Sequence, residues 1–315
     1  MSGRTVLVTG AAGFIGSHVA AALLRRGDRV RGIDSFTEFY DPALKRRNLA
    51  EIRATGDIPV VEGDIRDPDA LREAMAGCDA VLHFAARAGV RPSLKDPVGY
   101  ADVNVGGSAA VLEEAVRAGV KTSILASSSS VYGARSKAPF VESDPCDRPI
   151  SPYAATKRAM ELLARSHQAH HGDAVTCLRF FTAFGPRQRP EMAVHAFTRS
   201  IEEGKPLVIF GDGSARRDFT YIDDIVDGVL RALDRADGYR IYNLGESRTR
   251  TVTELVEVLK AALGRPDAVV DHRPAEAGDV PLTCADVTLA RAELGYEPTT
   301  SLEEGVARFV RWYRR

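Results

Sequence analysis

The chain has 315 residues, enough for two structural units at roughly 150 residues each, and its four cysteines are too few for a disulfide-stapled scaffold. Hydrophobic residues at 44%, charged residues at 27% and a mean hydropathy of −0.16 exclude a disordered or membrane-embedded chain. Forty-two basic residues against 43 acidic ones leave a formal charge of −1, so no global field recruits nucleic acid or an anionic membrane, and an anionic ligand needs a local device.

The strongest signal in chain order is alternation of strand and helix. Thr5 to Thr9 is a short β-branched run, and Phe14 to Arg26 carries apolar residues at helical spacing until Gly27-Asp28 closes the helix. Arg29 to Asp34 reads as a second strand, followed by a strand near Ile58 to Glu62, a helix from Pro68 to Ala76 and a strand from Ala80 to Phe84. A long helix over about Val98 to Ala118 precedes a strand at Thr122 to Ser127, a helix from Tyr153 to about His171 and a strand at Ala174 to Phe180. Strands joined by helical crossovers pair in parallel with helices on both faces, which predicts an α/β fold with a doubly wound parallel sheet. After Thr182 the glycine and proline punctuation thickens, and a second, smaller α/β domain is expected there. A helix at Asp223 to Leu233 and a strand at Arg240 to Leu244 are expected to return to the main sheet, with helices at Thr251 to Leu263 and Leu302 to Tyr313 outside it.

The first strand runs into Gly10-Ala11-Ala12-Gly13-Phe14-Ile15-Gly16, spaced GxxGxxG, at the opening of the first helix. Gly10 permits a tight turn, Gly13 lets the backbone approach a pyrophosphate and Gly16 allows close helix-to-strand packing, while the helix N-terminus supplies oriented N–H donors. Asp34 ends the second strand, where a carboxylate accepts from ribose hydroxyls and repels the extra phosphate of NADP, so the expected cofactor is NAD. Asp64, followed by Ile65, stands where a carboxylate can accept from the adenine amino group or simply make a turn. Ala85 and Ala86, after the fourth strand, are small enough for a cofactor to lie on backbone, or for plain core packing.

Tyr153 and Lys157 are four residues apart and share a helix face. A phenol with a pKa near ~10 is a poor base at neutral pH, so a cation nearby is needed to favour phenolate. Upstream, Ser127-Ser128-Ser129-Ser130-Val131-Tyr132-Gly133 ends the fifth strand, at the sheet edge where open α/β folds bind ligands. The cysteines, Cys78, Cys146, Cys177 and Cys284, form no CxxC pair and lack histidines at zinc-ligand spacing, so they read as reduced and mostly buried, with no metal site. His170-His171 reads as a solvated helix end. With no run of about 18 apolar residues and a strand starting within a few residues of Met1, a cytoplasmic location is expected.

Together these residues resemble the extended short-chain dehydrogenase/reductase family over nearly the whole chain, and within it the NAD-dependent UDP-sugar 4-epimerases, most of all the UDP-glucuronate 4-epimerases. The stretches that carry this are residues 39–45, 88–91, 178–182, 185–193 and 217–224. The resemblance implies that Ser128 is the active-site hydroxyl, Tyr153 the general acid/base, and Lys157 the residue that binds nicotinamide ribose and lowers the tyrosine pKa. It gives Asn104 a structural position. The change in punctuation after Thr182 and the elements expected to return to the main sheet put a sugar-nucleotide-binding domain at 183–219 and 251–315, with 1–182 and 220–250 binding NAD, and the resemblance implies a homodimer through helices near Val98–Ala118 and Tyr153–His171. Sugar-nucleotide dehydratases of the family place an Asp-Glu pair where this chain has Ser129 and Ser130, and decarboxylases typically carry glutamate at the position of Ser130. Neutral hydroxyls, with Thr182 joining them, donate to a sugar carboxylate without repelling it. Arg189 and Arg217, with Arg187 as a third, are candidates for the UDP phosphates or the carboxylate, and Asp279 for the uridine ribose. Arg87 and Pro92 stand where glucuronate epimerases usually have glutamine and tyrosine, and Glu276 where glucose-type epimerases often have arginine. The reaction classes left open are 4-epimerisation of UDP-glucuronate or of a neutral UDP-sugar, decarboxylation, and non-catalytic NAD binding.

Overall fold

The computed structural model describes residues 3–134, 137–275 and 279–315, which leaves Glu276 and Gly278 outside the described residues. In chain order the strands are β1 (Thr5–Thr9), β2 (Arg29–Asp34), β3 (Val60–Glu62), β4 (Ala80–His83), β5 (Thr122–Ser128), β6 (Ala174–Phe180), β7 (Thr182–Phe184), β8 (Leu207–Phe210), β9 (Arg216–Tyr221), β10 (Tyr239–Leu244), β11 (Thr249–Thr251) and β12 (Val270–Arg273). Seven of them form one sheet in the order β10-β6-β5-β4-β1-β2-β3, with every neighbouring pair parallel. The chain starts at β1, winds outward through β2 and β3, then returns to β4 on the other side of β1. That reversal opens a crevice above the carboxyl ends of β1 and β4.

The apolar runs of these strands are buried on both faces, as a parallel sheet covered by helices requires. Val6 and Val8 join the core cluster of one face, while Leu7 joins a second cluster with Ile33, Val81 and Val111. Helix Phe14–Arg26 ends at Gly27, whose φ of 92° suits glycine, with Arg25 and Arg26 facing the negative end of the helix dipole. As expected, β10 returns to the main sheet beside β6. Two small sheets lie outside it, β11-β9-β7 and β12-β8.

Two differences from expectation bear on the site. The segment expected as one long helix is Pro97–Ala101 and Gly107–Arg117 joined by a π-helical turn at Asp102–Gly106. Within that turn Asn104 Nδ2 reaches the Arg87 carbonyl and Thr156 Oγ1, both at 3.0 Å, and its Oδ1 accepts from Arg87 N at 2.8 Å. The wider turn aims one amide at two other elements, a use to which π-bulges are often put. Helix Pro42–Arg53, with Asp41 capping it by accepting from Ala43 N, has no counterpart in the sequence reading. Its polar sequence and modest apolar stripe conceal it. Among the described residues no helix is long and apolar enough to cross a membrane, and no group of three or more His, Cys, Asp and Glu could hold a metal ion.

Candidate active site

A cavity of about 800 Å³ opens above the strand ends and is lined from one end to the other by the glycine turn, the end of β2, the serine turn after β5 and the start of helix Pro152–His171. Gly10 has φ +68°, and a Cβ on it would lie 2.9 Å from Ala85 N. A Cβ on Gly16 would lie 2.2 Å from the Gly10 carbonyl oxygen. Gly16 is therefore needed for the turn to fold onto itself, a closer constraint than the helix-to-strand packing expected. Gly13 caps the helix with no side chain, so the amides of Phe14, Ile15 and Gly16 are left for an outside acceptor. Ala85, packed against Gly10, and Ala86 also line the cavity.

Asp34 is buried at the end of β2 and ties the turn down: its Oδ2 accepts from Ala12 N at 3.1 Å and its Oδ1 from Phe36 N at 2.9 Å. Lys45, from helix Pro42–Arg53, reaches the same carboxylate at 3.1 Å and also lines the cavity. Lys45 lay inside a stretch that carries the family resemblance, but nothing local signals that its helix crosses the end of β2. Asp64 and Ile65 line the cavity too, and hydrogen bonds from Arg66 hold the Asp64 carboxyl below its usual range.

At the other end, Ser128 Oγ accepts from Ser130 N and lies 3.1 Å from Ser130 Oγ. Tyr153 is hydrogen-bonded to Ser128, and Tyr100 sits edge-on to its ring with centroids 6.4 Å apart. Burial pushes the Tyr153 phenol above its ordinary value, while Ser128 and the charge of Arg189 pull it down. Lys157, one turn further along the same helix, donates from Nζ to the Ala126 carbonyl at 2.7 Å, and that Nζ lies 6.0 Å from the centroid of the Tyr153 ring. Burial lowers the Lys157 ammonium to about 8, against the opposing pull of Cys177 and Glu161.

Ser129, Ser130, Thr182 and Arg189 line the cavity beside Tyr153. The carboxylates that line it, those of Asp34, Glu38 and Asp64, come from the β2 and β3 end. Three other candidates lie elsewhere. Arg187 points away from the cavity: its Nη2 lies 3.1 Å from His18 Nδ1 and its Nε 3.7 Å from Glu51, because φ of +62° turns the side chain behind helix Phe14–Arg26. His18 closes the link by hydrogen-bonding the Pro186 carbonyl at 2.8 Å, and burial keeps its imidazole neutral down to about 3. Arg217 and Asp279 do not line the cavity either. Asp279 pairs with Arg91 at 2.9 Å, and Arg91 stacks on Phe210 at 4.4 Å, next to the cavity residue Val90.

With a phosphate-turn geometry at one end and a Ser-Tyr-Lys arrangement at the other, the comparison with known proteins is decisive. The profile of the NAD dependent epimerase/dehydratase family matches residues 6–245. The chain belongs to this family. It is 45% identical over 331 residues to UDP-glucuronate 4-epimerase 4 of Arabidopsis thaliana, covering 99% of this chain and 76% of that protein. Among solved structures it matches a UDP-glucuronic acid 4-epimerase from Bacillus cereus in complex with UDP-glucuronic acid and NAD, at a TM-score of 0.92, 35% identity and coverage of 98% and 99%. A dTDP-glucose 4,6-dehydratase from Streptomyces venezuelae matches equally well, at a TM-score of 0.92, 35% identity and coverage of 98% and 97%. Fold alone therefore does not separate an epimerase of this family from a dehydratase; the side chains around Tyr153 must.

Proposed function

We propose that the protein is an NAD-dependent isomerase that interconverts UDP-glucuronate and UDP-galacturonate by inverting carbon 4. The observation that carries this reading is the cluster of neutral hydroxyls around Tyr153 with Arg189 beside them, every carboxylate that lines the cavity among the described residues being at the opposite end. An elimination of water needs a second acid and base beside the tyrosine, and among the described residues no carboxylate lines that end of the cavity. A sugar carboxylate needs donors and a positive charge; Ser129, Ser130 and Thr182 offer the first, and Arg189, whose Nε is held by Glu191 at 2.6 Å, offers the remaining N–H groups of its guanidinium.

The residues present fit NAD: bare amides and a glycine turn without room for a Cβ suit the pyrophosphate, and Asp34 with Lys45 suits the adenosine ribose. When bound, NAD supplies a hydride acceptor at carbon 4 that later returns the hydride to the other face of the sugar, with no net oxidation. Tyr153 takes the proton of the 4-hydroxyl as the ketone forms and returns it as the alcohol reforms. Burial opposes phenolate, and Ser128 and Arg189 favour it. Lys157, rooted on the Ala126 carbonyl, is placed to hold the nicotinamide ribose. Arg217, Asp279 and Arg91, next to the cavity, form the site for the uridine diphosphate. The enzyme works as a homodimer through helices Gly107–Arg117 and Pro152–His171, beside which Val98 is 78% and Leu162 56% exposed.

Glucuronate carries a particular hazard. Oxidation at carbon 4 makes a β-keto acid, in which the bond from carbon 5 to the carboxylate breaks, carbon dioxide leaves, and the electron pair passes into the carbonyl. That requires the breaking bond to align with the carbonyl π system. Ser129, Ser130, Thr182 and Arg189 hold the carboxylate so that this bond stays near the carbonyl plane. The double change Ser130→Ala with Thr182→Val is expected to slow epimerisation and to release more carbon dioxide per UDP-galacturonate formed, by about tenfold for each ~1.4 kcal/mol of discrimination lost. A slower variant with an unchanged ratio would remove the hydroxyls from this role.

The function is tested by incubating the protein with UDP-glucuronate, UDP-glucose and UDP-N-acetylglucosamine, with no reductant, and identifying products by NMR. UDP-galacturonate is expected from the first; turnover of only the neutral sugars would overturn the reading. Cofactor-stripped protein is expected to bind NAD more tightly than NADP, with Asp34→Asn narrowing the gap. Equal affinities in the wild type, read by titration, would take Asp34 out of the ribose site.

A further inference from the structure

The turn that carries Ser128, Ser129 and Ser130 is tied down just before its start and at its end, and both ties lead to one buried ion pair. Glu161 lies one helical turn beyond Lys157, and its side chain is 0% exposed; that of Arg179, from β6, is 1% exposed. Arg179 grips the carboxylate with both prongs, Nε to Oε1 at 2.8 Å and Nη2 to Oε2 at 2.9 Å. Before the turn, Ser127 Oγ donates to Glu161 Oε1 at 2.6 Å. At its end, Tyr132 OH accepts from Arg179 Nη1 at 2.9 Å and donates to Asn243 Oδ1, on β10, at 2.7 Å.

A buried ion pair is an expensive way to gain stability, since apolar side chains of the same volume generally do as well. What a two-pronged pair supplies is direction, because the guanidinium fork meets a carboxylate in one plane. Here that direction is passed to the residues on either side of a short turn whose hydroxyls line the cavity. The turn is a single 3-10 turn, Ser129–Tyr132, closed by Gly133 N donating to the Ser130 carbonyl at 3.1 Å and anchored in the core by Val131 and the Tyr132 ring. The serine hydroxyls themselves are fixed within it only by Ser130 N donating to Ser128 Oγ and by the contact between the two hydroxyls.

We propose that Ser127 and Tyr132 are positioning residues which, through the Glu161–Arg179 pair, hold the serine turn in the geometry that keeps the substrate carboxylate near the carbonyl plane. This rests on the UDP-glucuronate reading. Neither residue acts on the reacting atoms. Their effect is on product choice: a looser turn lets the 4-keto sugar lose carbon dioxide before the hydride returns, which leaves a UDP-4-keto-pentose and a reduced nicotinamide.

The test is a mutant cycle on the full-length, NAD-loaded protein, built from Tyr132→Phe, Ser127→Ala, Ser130→Ala and the double variants with Ser130→Ala, with carbon dioxide, UDP-galacturonate and nicotinamide absorbance read together. Tyr132→Phe and Ser127→Ala are each expected to load NAD as the wild type does and to raise carbon dioxide per turnover about fivefold. Each double variant is expected to release no more than Ser130→Ala alone, because the anchors act through that serine. An unchanged ratio in both anchor variants, or fully additive doubles, would overturn the proposal. Simple loss of packing lowers the melting temperature without moving the product ratio. If Tyr132→Phe does not fold, the Ser127→Ala arm decides alone. A wild type inert towards UDP-glucuronate would overturn the functional reading itself, and this inference with it.

Discussion

Tyr153→Phe is expected to lower kcat for UDP-glucuronate by about 10²–10⁴-fold, the usual worth of a positioned acid/base, while NAD affinity stays near the wild-type value. The ring packs as before against Tyr100, and the glycine turn lies at the other end of the cavity, so only the proton-transfer group is lost. Burial holds the phenol above its ordinary value, and Ser128 and Arg189 oppose that shift. Ser128→Ala should therefore move the acidic limb of the pH profile, where activity rises as the phenol ionises, to higher pH, since removing a hydrogen bond that favours phenolate raises the phenol further. Measuring kcat and NAD binding on the same preparation of Tyr153→Phe checks the main claim. More than about a tenth of wild-type kcat would contradict a general-base role.

Gly16→Ala is expected to weaken NAD binding by about 10–100-fold. Its Cβ would sit 2.2 Å from the Gly10 carbonyl oxygen, so the turn must open and its amides lose their aim. An overpacked site of this kind costs roughly 1–3 kcal/mol, and each ~1.4 kcal/mol is tenfold in affinity. Gly27→Ala serves as the control, because it also meets a positive φ, of 92°, but nothing lies within 4 Å of its Cβ. It should lower the melting temperature and leave NAD affinity alone. Isothermal titration of stripped protein reads both, and wild-type affinity in Gly16→Ala would show that the turn tolerates a side chain.

Several features of this protein follow from local order in the chain. Strand Ala174–Phe180 and helix Leu302–Tyr313 coincide with the structure because hydrophobic periodicity is a local property. The glycine turn and the Tyr153–Lys157 spacing are legible for the same reason: each lies within about two turns of chain, where sequence distance and spatial distance agree. Ser128, on β5, meets Tyr153, on the following helix, because the βαβ rule sends every strand end to one edge of the sheet.

Side-chain direction in loops, and pairing across the sheet, were decided by the tertiary structure. Arg187 and Arg189 are two residues apart in one loop, yet Arg189 lines the cavity and Arg187 is buried against His18, a partner 169 positions away. No periodicity separates them, because the backbone at Arg187 takes a positive φ that follows from where helix Phe14–Arg26 has packed. Lys45 meets Asp34 only because a helix without a clear apolar stripe lies over the end of β2. Lys157 reaches a carbonyl of β5 that only the packing of the helix on the sheet brings to it, and burial, which belongs to the folded chain and not to any residue, sets the sign of the Tyr153 shift. The residue types of the chemistry were thus written locally, while the field in which they act depends on contacts between segments far apart in the chain.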